Sequence, residues 1–150
     1  MHLRLLSPYE DPKDPLFQSE ECQQLLKMMS ELYEQKGFNL PWASFVIVDE
    51  DQVKGTCSFM GVPENGEIEI AYWTFPAFEG HGIASFACQS LVEIARKQAP
   101  EITLTAKTSP GKNASTQILQ KNGFAYHSVV QDHEIGDAWL WKLTPFTNRN

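Results

Sequence analysis

The chain has 150 residues, 42% of them apolar and 21% charged. That is the composition of one ordinary globular domain, and it excludes disordered, collagen-like and disulfide-stapled chains. Nineteen acids against twelve bases leave a formal charge of -7, a field that repels phosphate backbones and mildly favours cationic ligands, so nucleic acid is not expected as a partner. The longest apolar runs, such as Phe45 to Val48, fall far short of the roughly 20 residues that cross a bilayer. The N-terminal stretch also lacks a signal peptide's apolar region, so a cytoplasmic protein without membrane contact is predicted.

Leu3 to Leu6 begins a strand that the Pro-rich YEDPKDP breaks. Asp14 and Pro15 read as an N-cap and first residue of a long helix. Cys22, Leu25, Leu26, Met29, Leu32 and Tyr33 then recur at helical spacing, Gly37 supplies a left-handed stop, and the pair Met28 and Met29 is expected in the core. Ser44 to Val48 and Gln52 to Met60 form a hairpin about the acidic turn Asp49 to Asp51, and Glu67 to Thr74 adds a third antiparallel strand. A helix follows from Ile83 to about Lys97, with Phe86, Ala87, Ser90, Leu91 and Ile94 on its inner face. Glu101 to Lys107 is a strand after a helix and so parallel to the strand before it. Asn113 caps a short helix ending before Gly123, and strands near Phe124 to Val130 and Ala138 to Leu143 close the chain. The fold class is α+β, one domain over residues 1–150 with a mixed sheet of six to seven strands.

Cys22, Cys57 and Cys88 are odd in number and lie more than thirty residues apart, which fits buried free thiols and neither a disulfide framework nor a metal or redox spacing. No two His or Cys residues have ligand spacing, so no metal is expected.

The stretch FPAFEGHGIA places Gly80 and Gly82 between a strand and a helix start. Free N–H groups and a positive helix end there make an anion cradle that a phosphate reaches without side-chain obstruction. A phosphate-binding P-loop fails, because the nearest match, Gly61 to Glu67, has an acid where Lys is required. A dinucleotide fingerprint fits poorly, with Ser85 at the third Gly, hairpins before the loop and Glu101 at a strand start.

The chain is similar to the GNAT acyltransferase superfamily in three blocks standing in family order: EGHGIA against its Arg/Gln-x-x-Gly-x-Gly/Ala loop, EIEIAYWTFPAF against its fourth strand, and KNASTQILQKNGF against its Asn-containing helix. The resemblance is firm from Gly66 to Phe124 and rests on pattern elsewhere. It implies a central sheet splayed into a V, with acetyl-CoA as co-substrate and direct acetyl transfer to a primary amine of a small molecule or of a protein or peptide N-terminus. Glu79 departs from the family's Arg or Gln, and His81 is either a phosphate contact or a solvent-facing loop residue. Cofactor contacts are implied for Trp73, Thr74 and Phe75, for Glu79, Gly80, His81, Gly82, Ile83 and Ala84, and for Asn113, whose other role is a plain N-cap. Main-chain groups of Trp73 to Phe75 would face the oxyanion, and the Trp73 side chain is expected in the core.

An alkyl ammonium of pKa near 10 is only about one part in a thousand neutral at pH 7, a handicap of roughly 4 kcal/mol, so a base is required. The resemblance puts Glu69 in that place, with Glu67 two residues earlier on the same face. The Tyr that protonates the departing thiolate in many members is Leu119 here. In this the chain is similar to the ribosomal-protein N-terminal acetyltransferase branch, which points to Ser115 as acid, with Tyr126 or unassisted departure as alternatives. Phe38, Trp42, Trp139 and Trp141 are either acceptor-pocket or core aromatics, and Asp132, His133 and Glu134 either attract a cationic acceptor or form a solvated turn. Homodimerisation is left open. The competing readings are a non-catalytic acyl-CoA-binding module, encouraged by Leu119 and Glu79, and more distantly a nucleotide-binding protein.

Overall fold

Alternation of apolar residues along the strands decides which face each side chain meets, and here both faces are covered. The computed structural model describes residues 1–145; the last five positions of the expected domain lie outside the described residues. Strands β1 (His2–Leu6), β2 (Ser44–Asp49), β3 (Gln52–Phe59), β4 (Glu67–Thr74), β5 (Thr103–Thr108), β6 (Ala125–Asp132) and β7 (Gly136–Leu143) form one sheet in the order β1-β2-β3-β4-β5-β7-β6. Among the described residues only β4 and β5 pair in parallel, as a strand, crossover helix and strand require.

Helix α1 (Glu20–Lys36) covers one face, with Cys22, Leu25, Met29 and Tyr33 against Leu6, Val46 and Val48. Helices α2 (Ile83–Gln98) and α3 (Ala114–Lys121) cover the other, where Ala87, Leu91 and Leu119 meet Ile47, Ile70, Leu104 and Trp141. Leu91, Leu104 and Leu119 are fully buried, so truncating any of them to Ala is expected to cost about 2–5 kcal/mol. Tyr33 ties α1 to the sheet: its hydroxyl donates to the Leu6 carbonyl at 2.7 Å and accepts the Ser44 N–H at 3.0 Å.

Three local expectations are corrected. Asp14 caps only a 3-10 turn, Pro15–Phe17, and α1 starts after Ser19, whose hydroxyl accepts the Cys22 N–H. Ser19 is followed by Glu20 and Glu21 in the first turn, the better match to a helix N-terminus. Gly37 ends α1 with φ 83° and ψ 171°, a glycine conformation but not the left-handed helical one. Met29 is in the core, whereas Met28 is 64% exposed.

The parallel pairing of β4 with β5 stops after three residues, at Glu69 and Thr105. Beyond it β4 stays paired with β3 up to Thr74, and β5 stays paired with β7 up to Thr108. The two central strands therefore diverge into a V whose β4 side is unpaired from Ile70 onward.

Candidate active site

Which main-chain groups face the V follows from strand alternation, since N–H and C=O of successive residues point to opposite edges. The Phe75 N–H donates to the Lys54 carbonyl at 3.0 Å, the Glu69 carbonyl accepts the Met60 N–H at 2.8 Å, and the Trp73 carbonyl lies against Gly55. Odd-numbered residues of β4 thus serve β3, and the groups of Tyr72 and Thr74 face the gap. Of the expected trio Trp73 to Phe75, only Thr74 offers its amide there; Phe75 is engaged through its N–H and buried through its side chain.

The V opens onto the start of α2. Gly82 is the N-cap at φ 80°, ψ 10°, and no side chain caps the helix. A Gly at this position leaves the first-turn donors of Ile83, Ala84 and Ser85 facing outward. A Cβ built on Gly80 or Gly82 meets nothing within 4 Å, and both have positive φ; the glycines are needed for backbone conformation, and the space beside them is open. A cleft of about 820 Å3 runs from here between α2 and α3.

Of the residues singled out from sequence, the cleft brings together Trp73, Thr74, Glu79, Gly80, Gly82, Ile83, Ala84 and Ser115, and adds Tyr72, Ile118 and Lys121. It leaves out Glu69, Phe75, His81 and Asn113. His81 is exposed in the loop. The Asn113 side chain is spent on a capping box: its Oδ1 accepts the Thr116 N–H at 3.0 Å while Thr116 Oγ1 accepts the Asn113 N–H at 3.0 Å. Ser115 is half-buried in the first turn of α3, with no hydrogen bond for its hydroxyl among the described residues. Leu119 is fully buried and supplies no polar group.

Ile68 and Ile70 face the α2 core, so Glu67, Glu69, Ala71 and Trp73 face the α1 side. Glu69 Oε1 lies 3.7 Å from Lys107 Nζ, and Glu67 Oε2 lies 2.7 Å from Lys142 Nζ. The Trp73 ring is not core: it is 42% exposed and meets Phe75 edge-on at 5.0 Å between centroids. Trp141 is core, donating from Nε1 to Thr108 Oγ1 at 3.0 Å, and Tyr126 packs edge-on against Trp139 and Trp141 on β6 and β7, outside the cleft. Phe38 packs on Tyr33 and Trp42 on Phe59. Asp132 caps its own turn by accepting the Glu134 N–H at 2.8 Å, a bond that helps to hold its carboxyl below the usual range.

Two features have no sequence signal read above. A Cβ on Gly55 would lie 2.6 Å from the Trp73 carbonyl and 3.0 Å from Ile83 Cγ2, so this glycine sets how closely β3, β4 and the first turn of α2 approach. The Tyr72 hydroxyl is buried without a hydrogen-bond partner among the described residues, and burial pushes its pKa up. Burial also raises the Cys57 and Cys88 thiols to about 12, so neither supplies a thiolate nucleophile at neutral pH.

Residues 7–125 match the family described as "Acetyltransferase (GNAT) domain". The chain belongs to the GNAT acetyltransferase family. Its splayed seven-stranded sheet and glycine-started α2 are the GNAT fold in this molecule. Among curated proteins it is 29% identical over 105 residues to the uncharacterized N-acetyltransferase p20 of Bacillus licheniformis, covering 69% of this chain and 59% of that protein. It is 28% identical over 124 residues to the ribosomal-protein-serine acetyltransferase of Escherichia coli (strain K12), covering 81% of this chain and 68% of that one. This GNAT chain thus spans only about three fifths to two thirds of those relatives' length. Among solved structures it superposes on the ribosomal L7/L12 alpha-N-protein acetyltransferase RimL in complex with coenzyme A with a TM-score of 0.66 at 19% identity, covering 84% of this chain and 72% of that one.

Proposed function

We propose that this GNAT protein is an acetyl-CoA-dependent N-acetyltransferase acting on the primary amine of a peptide or protein N-terminus or of a small molecule. The observation that carries the reading is the continuity of the V after Glu69 with the uncapped, glycine-lined start of α2. Acetyl-CoA supplies the acetyl group as a thioester. The residues of this chain fit it: the amides of Ile83 to Ser85 suit a diphosphate, and the unpaired edge of β4 at Tyr72 and Thr74 suits an extended amide-bearing arm. The neighbour solved with coenzyme A supports the same ligand here. In the transfer, the amine nitrogen bonds the acetyl carbon as the carbon–sulfur bond breaks, and the proton lost by the amine ends on the departing thiol.

Glu69 is the base in this reading, on the α1 face of β4 at the residue where the pairing with β5 ends. Ser115, free in the cleft wall, is the donor to the thiolate. A peptide α-amine, of pKa about 7.7–8.0, is far easier to deprotonate than an alkyl amine near 10.4, which suits a carboxylate that Lys107 shares. A relative named for a ribosomal-protein serine supports the same acceptor class. A cytoplasmic location belongs to this reading; no described helix is long and apolar enough to cross a membrane.

Glu69→Gln tests it. The expected result is unchanged acetyl-CoA affinity by calorimetry with kcat lower by about 10²–10⁴, the usual worth of general base catalysis. The Glu69–Lys107 ion pair at 3.7 Å and the apolar Leu119 favour a second reading, a module that binds acyl-CoA without turnover. Wild-type protein that binds acetyl-CoA yet releases no free thiol with any amine would establish that second reading.

A further inference from the structure

A second cavity, of about 300 Å3, adjoins the cofactor cleft through Tyr72 and Trp73 and lies under α1. Its volume is at the lower end of ligand pockets. Leu25, Met28 and Leu32 of α1, Met60 after β3, and Ala71 and Trp73 of β4 line it. No charged side chain lines it among the described residues.

The serine and threonine hydroxyls in its wall are already occupied, and the Tyr72 side chain is turned toward the α2 core. Ser44 and Ser58 bond each other, Ser58 also donates to the Phe59 carbonyl at 3.0 Å, and Thr56 donates to the Phe45 carbonyl at 2.8 Å. An occupant therefore finds apolar surface and thioether sulfurs, which adapt to shape, and gains from desolvation alone. A polyamine or a lysine ammonium placed here would lose hydration with no partner in return. Ala71 and Trp73 share their face of β4 with Glu69, so a group seated in the cavity brings a neighbouring nitrogen toward the mouth of the V. Met28, Trp73 and Met60, 64%, 42% and 39% exposed, leave one side open to solvent. That shape covers a side chain whose backbone continues outward and does not engulf a free small amine.

Resting on the transferase reading above, we infer that the acceptor is a peptide or protein amino terminus whose first residue carries a large apolar side chain, seated between α1 and β4. The serine named for the curated relative would leave this cavity unfilled.

The test measures thiol release from acetyl-CoA by the full chain with peptides that differ only in their first residue, Leu, Met or Phe against Ser, Gly or Lys. Free phenethylamine and spermidine serve as further arms. The expected result is a kcat/KM at least about tenfold higher for the apolar first residues, from the burial of one such side chain. Met28→Lys, at an exposed position, should raise KM for the Leu peptide about tenfold while melting temperature and acetyl-CoA affinity stay as in wild type. Equal or faster turnover of the Ser, Lys or spermidine arms would overturn the inference and leave the transferase standing. Faster turnover of phenethylamine than of any peptide would overturn the peptide assignment. Light scattering that shows a dimer, dissociated by Met28→Lys, would assign this face to a second copy of the chain. Thiol release by no amine at all would remove the transferase reading and this one together.

Discussion

The cleft at the start of α2 is lined by the main chain around residues 72–85 together with polar side chains such as Glu79, Ser115 and Lys121, whereas the cavity across β4 takes its lining from side chains on α1, β3 and β4 and has its serine and threonine hydroxyls tied up internally. Main-chain donors depend on backbone course and on glycine at a few positions, so in the transferase reading the loop is expected to tolerate Glu79 where the family pattern has Arg or Gln. The side-chain cavity depends on the identity of Met28, Met60, Ala71 and Trp73. Of the two, it is the one in which single substitutions are expected to alter selectivity without touching the fold. One strand serves both, and the experiments below separate or join them.

Gly55→Val should damage both cavities at once, because its Cβ would lie 2.6 Å from the carbonyl of Trp73, one of the two residues common to them. Overpacking of this kind costs about 1–3 kcal/mol, a melting temperature lower by roughly 4–10 °C, and calorimetry should show weaker acetyl-CoA binding as well. Wild-type stability in this variant would mean that the close approach of β3 to β4 is not a constraint. Gly82→Val should act on the cofactor cleft alone. A branched side chain at φ 80° costs about 1–2 kcal/mol, so the acetyl-CoA Kd should rise about tenfold. A Kd as in wild type would show that the amides of the first turn of α2 do not grip the ligand. Tyr72→Phe is the mildest change: removing a buried hydroxyl without a partner should leave the ligand-free protein equally stable or up to about 1 kcal/mol more so, read as a rise of about 2–4 °C. A fall in melting temperature would mean that the hydroxyl has a stabilising partner.

What was legible in the sequence had short reach. The strand and helix order, the parallel step after α2 and the glycine cradle follow from periodicity and from turn residues a few positions apart. The start of α1 was misplaced because Asp14-Pro15 and Ser19-Glu20 are both acceptable caps five residues apart, and only packing of Phe17 into the core, where it is fully buried, makes the first a separate turn. Sequence alone puts Trp73 in the core because aromatics usually are, yet between α1 and β4 it borders an open cavity and is 42% exposed. Phe75 lost its place in the site through one bond, from its N–H to Lys54, that depends on the register of β3. The cavity under α1 was invisible because residues 25 to 73 must be brought together to make it, and no spacing rule links them.

Tyr72 and Trp73 are neighbours in sequence that look out on opposite sides of one strand, the first toward the α2 core and the second toward α1. Because side chains alternate with a period of two, inserting or deleting one residue in β4 would exchange these outlooks along its length. Drift in this family member can therefore proceed by replacing side chains on either surface, but not by changing the strand's length, which would exchange the residues that meet α1 with those that meet α2 in a single step.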